Sequence, residues 1–116
     1  MTDYDINQLI NVRSILIEVA TRGDTIAYSD LATRAGLAFN HKLANDRRVF
    51  GLLLGDVSKQ EYGRGRPLLT AVVVRKGEGK PGPGFLGLEG FPETEEFWET
   101  ELKRVHDFWA WRPEAP

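Results

Sequence analysis

Apolar and polar residues alternate at the period of an α-helix in the first segment of the chain, from Asp5 to Thr21. The apolar residues recur mostly at spacings of three and four, at Ile6, Leu9, Ile10, Leu16, Ile17 and Ala20. This spacing places them on one helical face. Val12, Ile15 and Val19 widen the face, so we expect most of the helix to be buried, and Gly23 to end it.

A short strand and a second helix are predicted next. Thr25 to Tyr28 is a β-favouring run, and Ser29 follows it. Because a serine oxygen accepts hydrogen bonds from the first backbone N–H groups of a helix, Ser29 is a good cap for a helix over Asp30 to Ala35. Gly36 is the natural left-handed end of that helix.

A third helix is predicted from Asp46 to Glu61, capped by Asn45 or Asp46 and closed by Gly63. The residues expected to face the core are Val49, Leu52, Leu53 and Val57. Two glycines lie inside this helix, Gly51 and Gly55. Each costs about 1 kcal/mol relative to alanine, so we expect another element to pack closely there.

The apolar run PLLTAVVV, Pro67 to Val74, predicts a buried strand. Phe85 to Leu88 is its expected antiparallel return, which makes the segment between them a hairpin turn. Gly77, Gly79 and Gly82 match the pattern G-x-G-x-x-G. A dinucleotide site needs a helix directly after that pattern, whereas Pro81-Gly82-Pro83-Gly84 follows here. We therefore expect no nucleotide cofactor at this turn.

A last helix is predicted from Thr94 to Trp109, where Trp98, Leu102, Val105 and Trp109 form one apolar stripe. The order helix, short strand, helix, helix, hairpin, helix predicts an α+β fold. Its expected form is a winged helix-turn-helix, with a tri-helical core, a β-hairpin wing and an added amphipathic helix. We expect a single domain over 1–116, with core and wing in 1–92 and the C-terminal helix in 93–112.

Composition narrows the function classes. The 116 residues include no cysteine, which excludes disulfides, thiolate zinc sites and cysteine nucleophiles, and favours a cytoplasmic location. The acidic N-terminus is unlike a signal peptide, and no apolar run approaches the roughly 18 residues of a membrane span. The net charge is −2, yet residues 41–80 carry nine Lys or Arg against four Asp or Glu. A basic middle segment is thus followed by an acidic end.

Candidate catalytic residues are few. The two histidines, His41 and His106, cannot supply the three protein ligands that a zinc site needs. Ser14, Ser29 and Ser58 lie outside any G-x-S-x-G elbow. We therefore expect neither an enzyme nor a metal or other cofactor.

Three stretches resemble a known family: GDTIAYSDLATRAG, RRVFG, and PLLTAVVV followed by a glycine-rich segment. Together they are similar to the DNA-binding domain of the alkylguanine-DNA alkyltransferases and of their inactive relatives, the alkyltransferase-like proteins. The resemblance spans about Ile15 to Leu88. It implies that Tyr28, which matches the tyrosine of the family's Tyr-Gly-Asp-Leu-Ala motif, contacts a DNA phosphate. It also implies that Arg48 enters the duplex where a base is flipped out, and that Arg47 contacts phosphate.

The chain departs from this family at the alkyl acceptor. The family has a Pro-Cys-His-Arg motif on the strand after the third helix, where this chain reads Thr70-Ala71-Val72-Val73-Val74. Valine neither accepts an alkyl group nor relays a proton, so we expect no alkyltransferase activity. The apolar strand also predicts no base pocket like that of the family.

Two functions stay open at this point. The first is non-catalytic binding of nucleic acid, with double-stranded DNA expected and the third helix in the major groove. Its predicted contacts are Tyr28, Ser29, Arg47, Arg48, Arg64, Arg66, Arg75, Lys76 and Lys80. The second is a protein-interaction or dimerisation domain, in which Trp98, Trp109 and Trp111 of the acidic C-terminal helix bind a partner or a second copy.

Overall fold

The computed structural model describes residues 4–40, 42–81, 85 and 90–110. The α-helices in these residues are α1 (Ile6–Thr21), α2 (Tyr28–Ala35), α3 (Ala44–Gly63) and α4 (Glu95–Ala110). The strands are β1 (Ile26–Ala27) and β2 (Val73–Val74), and a 3₁₀ turn over Leu69–Val72 leads into β2. This mixed architecture agrees with the predicted α+β class.

Helix α1 follows its sequence pattern closely at both ends. Asp5 caps it in a reciprocal box, in which the Gln8 backbone N–H donates to the Asp5 carboxylate and the Asp5 N–H donates to the Gln8 side chain, each at 2.9 Å. Gly23, at φ 71°, ends the helix in a left-handed conformation. Ile6 and Ile10, however, are 62% and 57% exposed, so the predicted buried face begins only at Leu9.

The predicted caps of α2 and α3 are wrong, because both helices begin earlier than expected. Helix α2 starts at Tyr28 with Ala27 as its cap, which places Ser29 inside the first turn. Helix α3 starts at Ala44 with Leu43 as its cap. Neither cap residue has a side-chain acceptor, so neither helix is capped by its own N-cap side chain. Gly36, at φ 70°, ends α2 as predicted.

The core-facing side of α3 is also shifted from the prediction. Leu53 and Val57 are buried as expected, together with Phe50 and Leu54, but Leu52 is 47% exposed. Nothing lies within 4 Å of the position that a Cβ would take at Gly51. The close packing expected at Gly51 is therefore absent.

The strand pairing in the described residues differs from the predicted hairpin. Strand β2 pairs in parallel with β1, with Ile26 opposite Val73 and Ala27 opposite Val74. The run before β2 is not a continuous strand, since Leu69–Val72 is a 3₁₀ turn. A turn does follow β2: the Arg75 N–H donates to the Lys80 carbonyl at 2.8 Å, and Val74 bridges Pro81 in antiparallel fashion.

The expected return strand lies only partly within the described residues. Phe85 is helical rather than extended, and 86–88 lie outside the described part of the chain. The single described sheet is thus the two-stranded parallel pair. This parallel pairing therefore does not demonstrate a winged arrangement.

Helix α4 completes the core by packing on α1 and on the 3₁₀ turn. Trp98, Val105 and Trp109 are buried along its predicted stripe, and the Trp98 indole N–H donates to the Ala71 carbonyl at 2.8 Å. Trp98 and Trp109 are therefore core residues, and their side chains are not exposed for the alternative role of partner binding that was also predicted. The third residue of that prediction, Trp111, lies outside the described residues.

Buried carboxylates tie the helices together. Glu61 on α3 is fully buried and accepts from the Arg13 Nε of α1 at 2.9 Å, with Arg66 Nη1 at 3.4 Å. Glu101 on α4 accepts from the Leu68 backbone N–H at 3.0 Å. These bonds satisfy charges that would otherwise be costly to bury. Within the described part of the chain, the helices are all too short or too polar to cross a membrane.

Candidate nucleic-acid interface

The parallel strand pair brings together two segments that are distant in sequence. Tyr28 directly follows Ala27 in β1, and Arg75 directly follows Val74 in β2; Ala27 and Val74 are opposite each other. Because the carboxyl ends of neighbouring parallel strands meet at one edge, roughly 4.8 Å apart, Tyr28 and Arg75 are neighbours. The first turn of α2 and the start of the glycine-rich turn therefore open on the same side of the molecule.

The first half of α3 forms the opposite wall of a groove at this edge. We call it the aromatic–basic groove; its volume is about 940 Å³. It is lined by Tyr28, Ser29, Phe39, Ala44, Arg47, Arg48, Phe50, Gly51, Arg75 and Lys76. Six of the nine residues predicted from sequence to contact nucleic acid thus line a single groove.

Three aromatic rings form the apolar part of this groove. Phe50 is buried between the other two, with its ring centroid 4.9 Å from that of Phe39 and 6.1 Å from that of Tyr28. Both contacts are edge-to-face, a favoured aromatic geometry. Phe39 and Tyr28 are half-buried, so they present the accessible aromatic surface.

The rim of the groove is positively charged. Its charged residues are all cations: Arg47, Arg48, Arg75 and Lys76. The N-termini of α2 and α3 also reach the groove, at Tyr28 and Ala44. A helix N-terminus carries unsatisfied N–H groups and about half a positive charge. Cationic side chains and two helix ends therefore favour an anion at the same place.

Acidic residues beside the rim moderate this charge only slightly. The Lys76 ammonium lies 3.7 Å from the Asp30 carboxylate, and the Arg75 guanidinium lies 3.7 Å from that of Glu78. All four side chains are largely exposed, and exposed pairs of this kind contribute at most about 1 kcal/mol. A phosphate can therefore replace these carboxylates at little cost.

The other three predicted contact residues do not line the groove. Arg64 and Arg66 follow the far end of α3, which at about 1.5 Å per residue lies roughly 25 Å from Arg47. The Arg66 guanidinium forms a salt bridge with the buried Glu61 carboxylate. Lys80 pairs with Glu95 of α4 at 3.1 Å. Arg64 and Arg66 therefore lie on another surface. Lys80 belongs to the turn that begins at Arg75, but its ammonium pairs with a carboxylate of α4.

Phe39 and Phe50 are the groove residues that the sequence prediction missed. Phe50 lies in the RRVFG stretch, where DNA contacts are predicted for the arginines and a core-facing side chain for Val49, but no role for Phe50. The helical spacing from Phe50 to Leu53, Leu54 and Val57 was the available signal. Phe39 lies between α2 and α3, where no periodic pattern indicates a role. The prediction of no base pocket rests on the apolar strand alone, whereas the groove lies between the ends of the parallel strands and α3.

Thr70–Val74, the segment compared with the alkyl-acceptor motif, is buried, and none of its residues lines the groove. Thr70 is 2% exposed, and its hydroxyl lies 2.6 Å from that of Ser58, also buried. His106 Nε2 lies 2.9 Å from the Asp24 carbonyl, while His41 lies outside the described residues. Over the described ranges, no three His, Asp or Glu side chains are grouped so as to hold a metal ion.

Comparisons with known proteins do not assign a family. A scan against family models, a search of the curated proteins and a search of the solved structures each found no match. The aromatic–basic groove is therefore interpreted from its own residues and geometry.

Proposed function

We propose that this protein binds nucleic acid without catalysing a reaction, and that double-stranded DNA is its ligand. One observation supports the proposal: six of the residues that the sequence predicts to contact nucleic acid line the aromatic–basic groove. The groove combines four cations with two helix N-termini, and phosphate contacts supply most of the affinity in non-specific DNA binding.

The two walls of the groove contribute different contacts. On the strand side, Arg75 and Lys76 bind phosphate next to the first backbone N–H groups of α2. On the helix side, Arg47 and Arg48 project from the first two turns of α3. The Arg48 guanidinium donates to the Asn45 side chain at 2.9 Å, which restrains its orientation.

Helix α3 is the element that meets the duplex in this proposal. Its exposed arginines, Arg47 and Arg48, lie at its N-terminal end, which is the end that contacts base edges in helix-turn-helix proteins. The proposed arrangement is a winged helix-turn-helix like that of the alkyltransferase-like proteins. Arg48 takes the position of the residue that enters a duplex with a flipped base, and in an intact duplex it contacts phosphate, as Arg47, Arg75 and Lys76 do. The turn over Arg75–Lys80 takes the place of the wing.

Fluorescence anisotropy of a labelled duplex tests the proposal. Four phosphate contacts give a slope of log K against log salt of about −3.6, so the association constant should fall about 150-fold between roughly 50 and 200 mM salt. A labelled single strand of the same sequence serves as the comparison ligand. Absence of duplex binding at the low-salt end would rule out the proposed function.

A further inference from the structure

Intact duplex DNA uses only part of the aromatic–basic groove. Its phosphates face outward and can reach Arg47, Arg48, Arg75 and Lys76, but the faces of its bases are stacked inside. The accessible aromatic surface of Phe39 would then have no partner. The smallest ligand that satisfies both the rings and the cations is a nucleotide with an accessible base.

We infer that the groove binds a nucleotide carrying a terminal phosphate, with its base against Phe39 and Tyr28 and its phosphate at the cationic rim. The nucleotide is either a free nucleoside 5′-monophosphate or the 5′-phosphorylated end of a strand; the two share the same chemistry. This inference rests on the proposed function where the ligand is the end of a strand, because it then assigns the preferred nucleic-acid ligand of the same groove; for a free nucleotide it rests on the groove alone.

The charge of the rim favours a terminal phosphate over an internal one. An internal phosphodiester carries one negative charge, whereas a phosphate monoester carries about −1.5 to −2 at neutral pH. Four cations and two helix N-termini converge on the groove. Such a site gains more from a dianion than from a monoanion, since each added charge interacts with all of them.

The aromatic part of the groove has the size and the chemistry to hold a base. The volume of about 940 Å³ lies within the roughly 300–1,000 Å³ of small-molecule sites. Stacking of a base on aromatic side chains tolerates any base, so little sequence preference is expected. The nucleotide is held at the ends of the parallel strands and not by the Gly77–Gly82 pattern, because Pro81 and Pro83 disfavour the helix that a cofactor site needs directly after such a pattern.

The experiment compares matched ligands with the full chain. Labelled single strands of one sequence, with a 5′-phosphate or a 5′-hydroxyl, are titrated by anisotropy. Unlabelled deoxyadenosine monophosphate and inorganic phosphate are then used as competitors. We expect the phosphorylated strand to bind at least about fivefold tighter, and the mononucleotide to compete at least about fivefold better than inorganic phosphate.

Two variants separate the roles of the base and the phosphate. Phe39→Leu keeps an apolar side chain but removes the ring, and it should abolish the advantage of the mononucleotide over inorganic phosphate. The double variant Arg75→Gln/Lys76→Gln should abolish the preference for the 5′-phosphate. The matched control, Lys59→Gln/Arg64→Gln, removes the same charges from exposed positions outside the groove, and it should keep both preferences.

Each outcome separates this inference from the proposed function. Equal binding of both strands, together with duplex binding, overturns the inference and leaves nucleic-acid binding intact. If inorganic phosphate competes as strongly as the mononucleotide, the aromatic rings contribute nothing to binding, and the inference is overturned too. Mononucleotide binding without binding of any strand or duplex supports the inference, with the free nucleotide as ligand, and overturns the proposed function. No binding of any ligand overturns both.

Discussion

Some of the predicted basic residues line the groove, whereas others, such as Arg64, lie far from it. This difference leads to a quantitative prediction for the salt dependence of DNA binding. The double variant Arg47→Gln/Arg48→Gln removes two of four groove cations. Because each phosphate contact contributes about −0.9 to the salt slope, the slope should change from about −3.6 to about −1.8. The association constant should then fall only about 12-fold between roughly 50 and 200 mM salt, against about 150-fold for the unmodified chain.

The control for this prediction is the double variant Lys59→Gln/Arg64→Gln. It changes the net charge equally, but Arg64 lies about 25 Å along α3 from Arg47. Its slope should stay at about −3.6. Both arginines of the test variant are exposed, so circular dichroism should show an unchanged fold and melting temperature. If the control variant reduces the magnitude of the slope as much as the groove variant does, the DNA does not lie at the groove and the reasoning fails.

Three predictions concern stability and are measured by urea unfolding. Glu61→Ala should cost about 3 kcal/mol, because it leaves two arginines without their buried acceptor; a cost below about 1 kcal/mol would show that water replaces the carboxylate. Trp98→Phe loses a buried hydrogen bond worth about 1–3 kcal/mol, and it should cost more than Trp109→Phe, since the Trp109 indole N–H has no partner among the described residues. Gly51→Ala should stabilise the chain by up to about 1 kcal/mol, whereas Gly36→Ala, at φ 70°, should destabilise it by a similar amount.

The helices could be predicted because their signals are local. The apolar spacing of α1 and the stripe of α4 are set by residues three and four apart, and Gly23 and Gly36 ended their helices as predicted. The helix starts were less certain because Ala27 and Leu43 are caps without a side-chain acceptor.

The phase of α3 could not be settled by its sequence. Apolar residues and glycine run almost without interruption from Val49 to Gly55, so several faces of the helix are compatible with burial. The structure buries Phe50 and exposes Leu52, because the rings of Tyr28 and Phe39 pack against Phe50. That choice depends on residues in other segments and is invisible to periodicity.

The sequence by itself determined the helical framework, the basic middle segment and the set of charged candidates. Only the tertiary structure decided which candidates lie together in one groove. Pairing between residues 26–27 and 73–74 joins segments almost fifty residues apart, and no local pattern encodes such a contact. This pairing brings Arg75 and Lys76 beside Tyr28, while the length of α3 separates Arg64 from Arg47. The local sequence thus fixes which side chains are present, whereas folding decides which of them, from distant segments, come to line one groove.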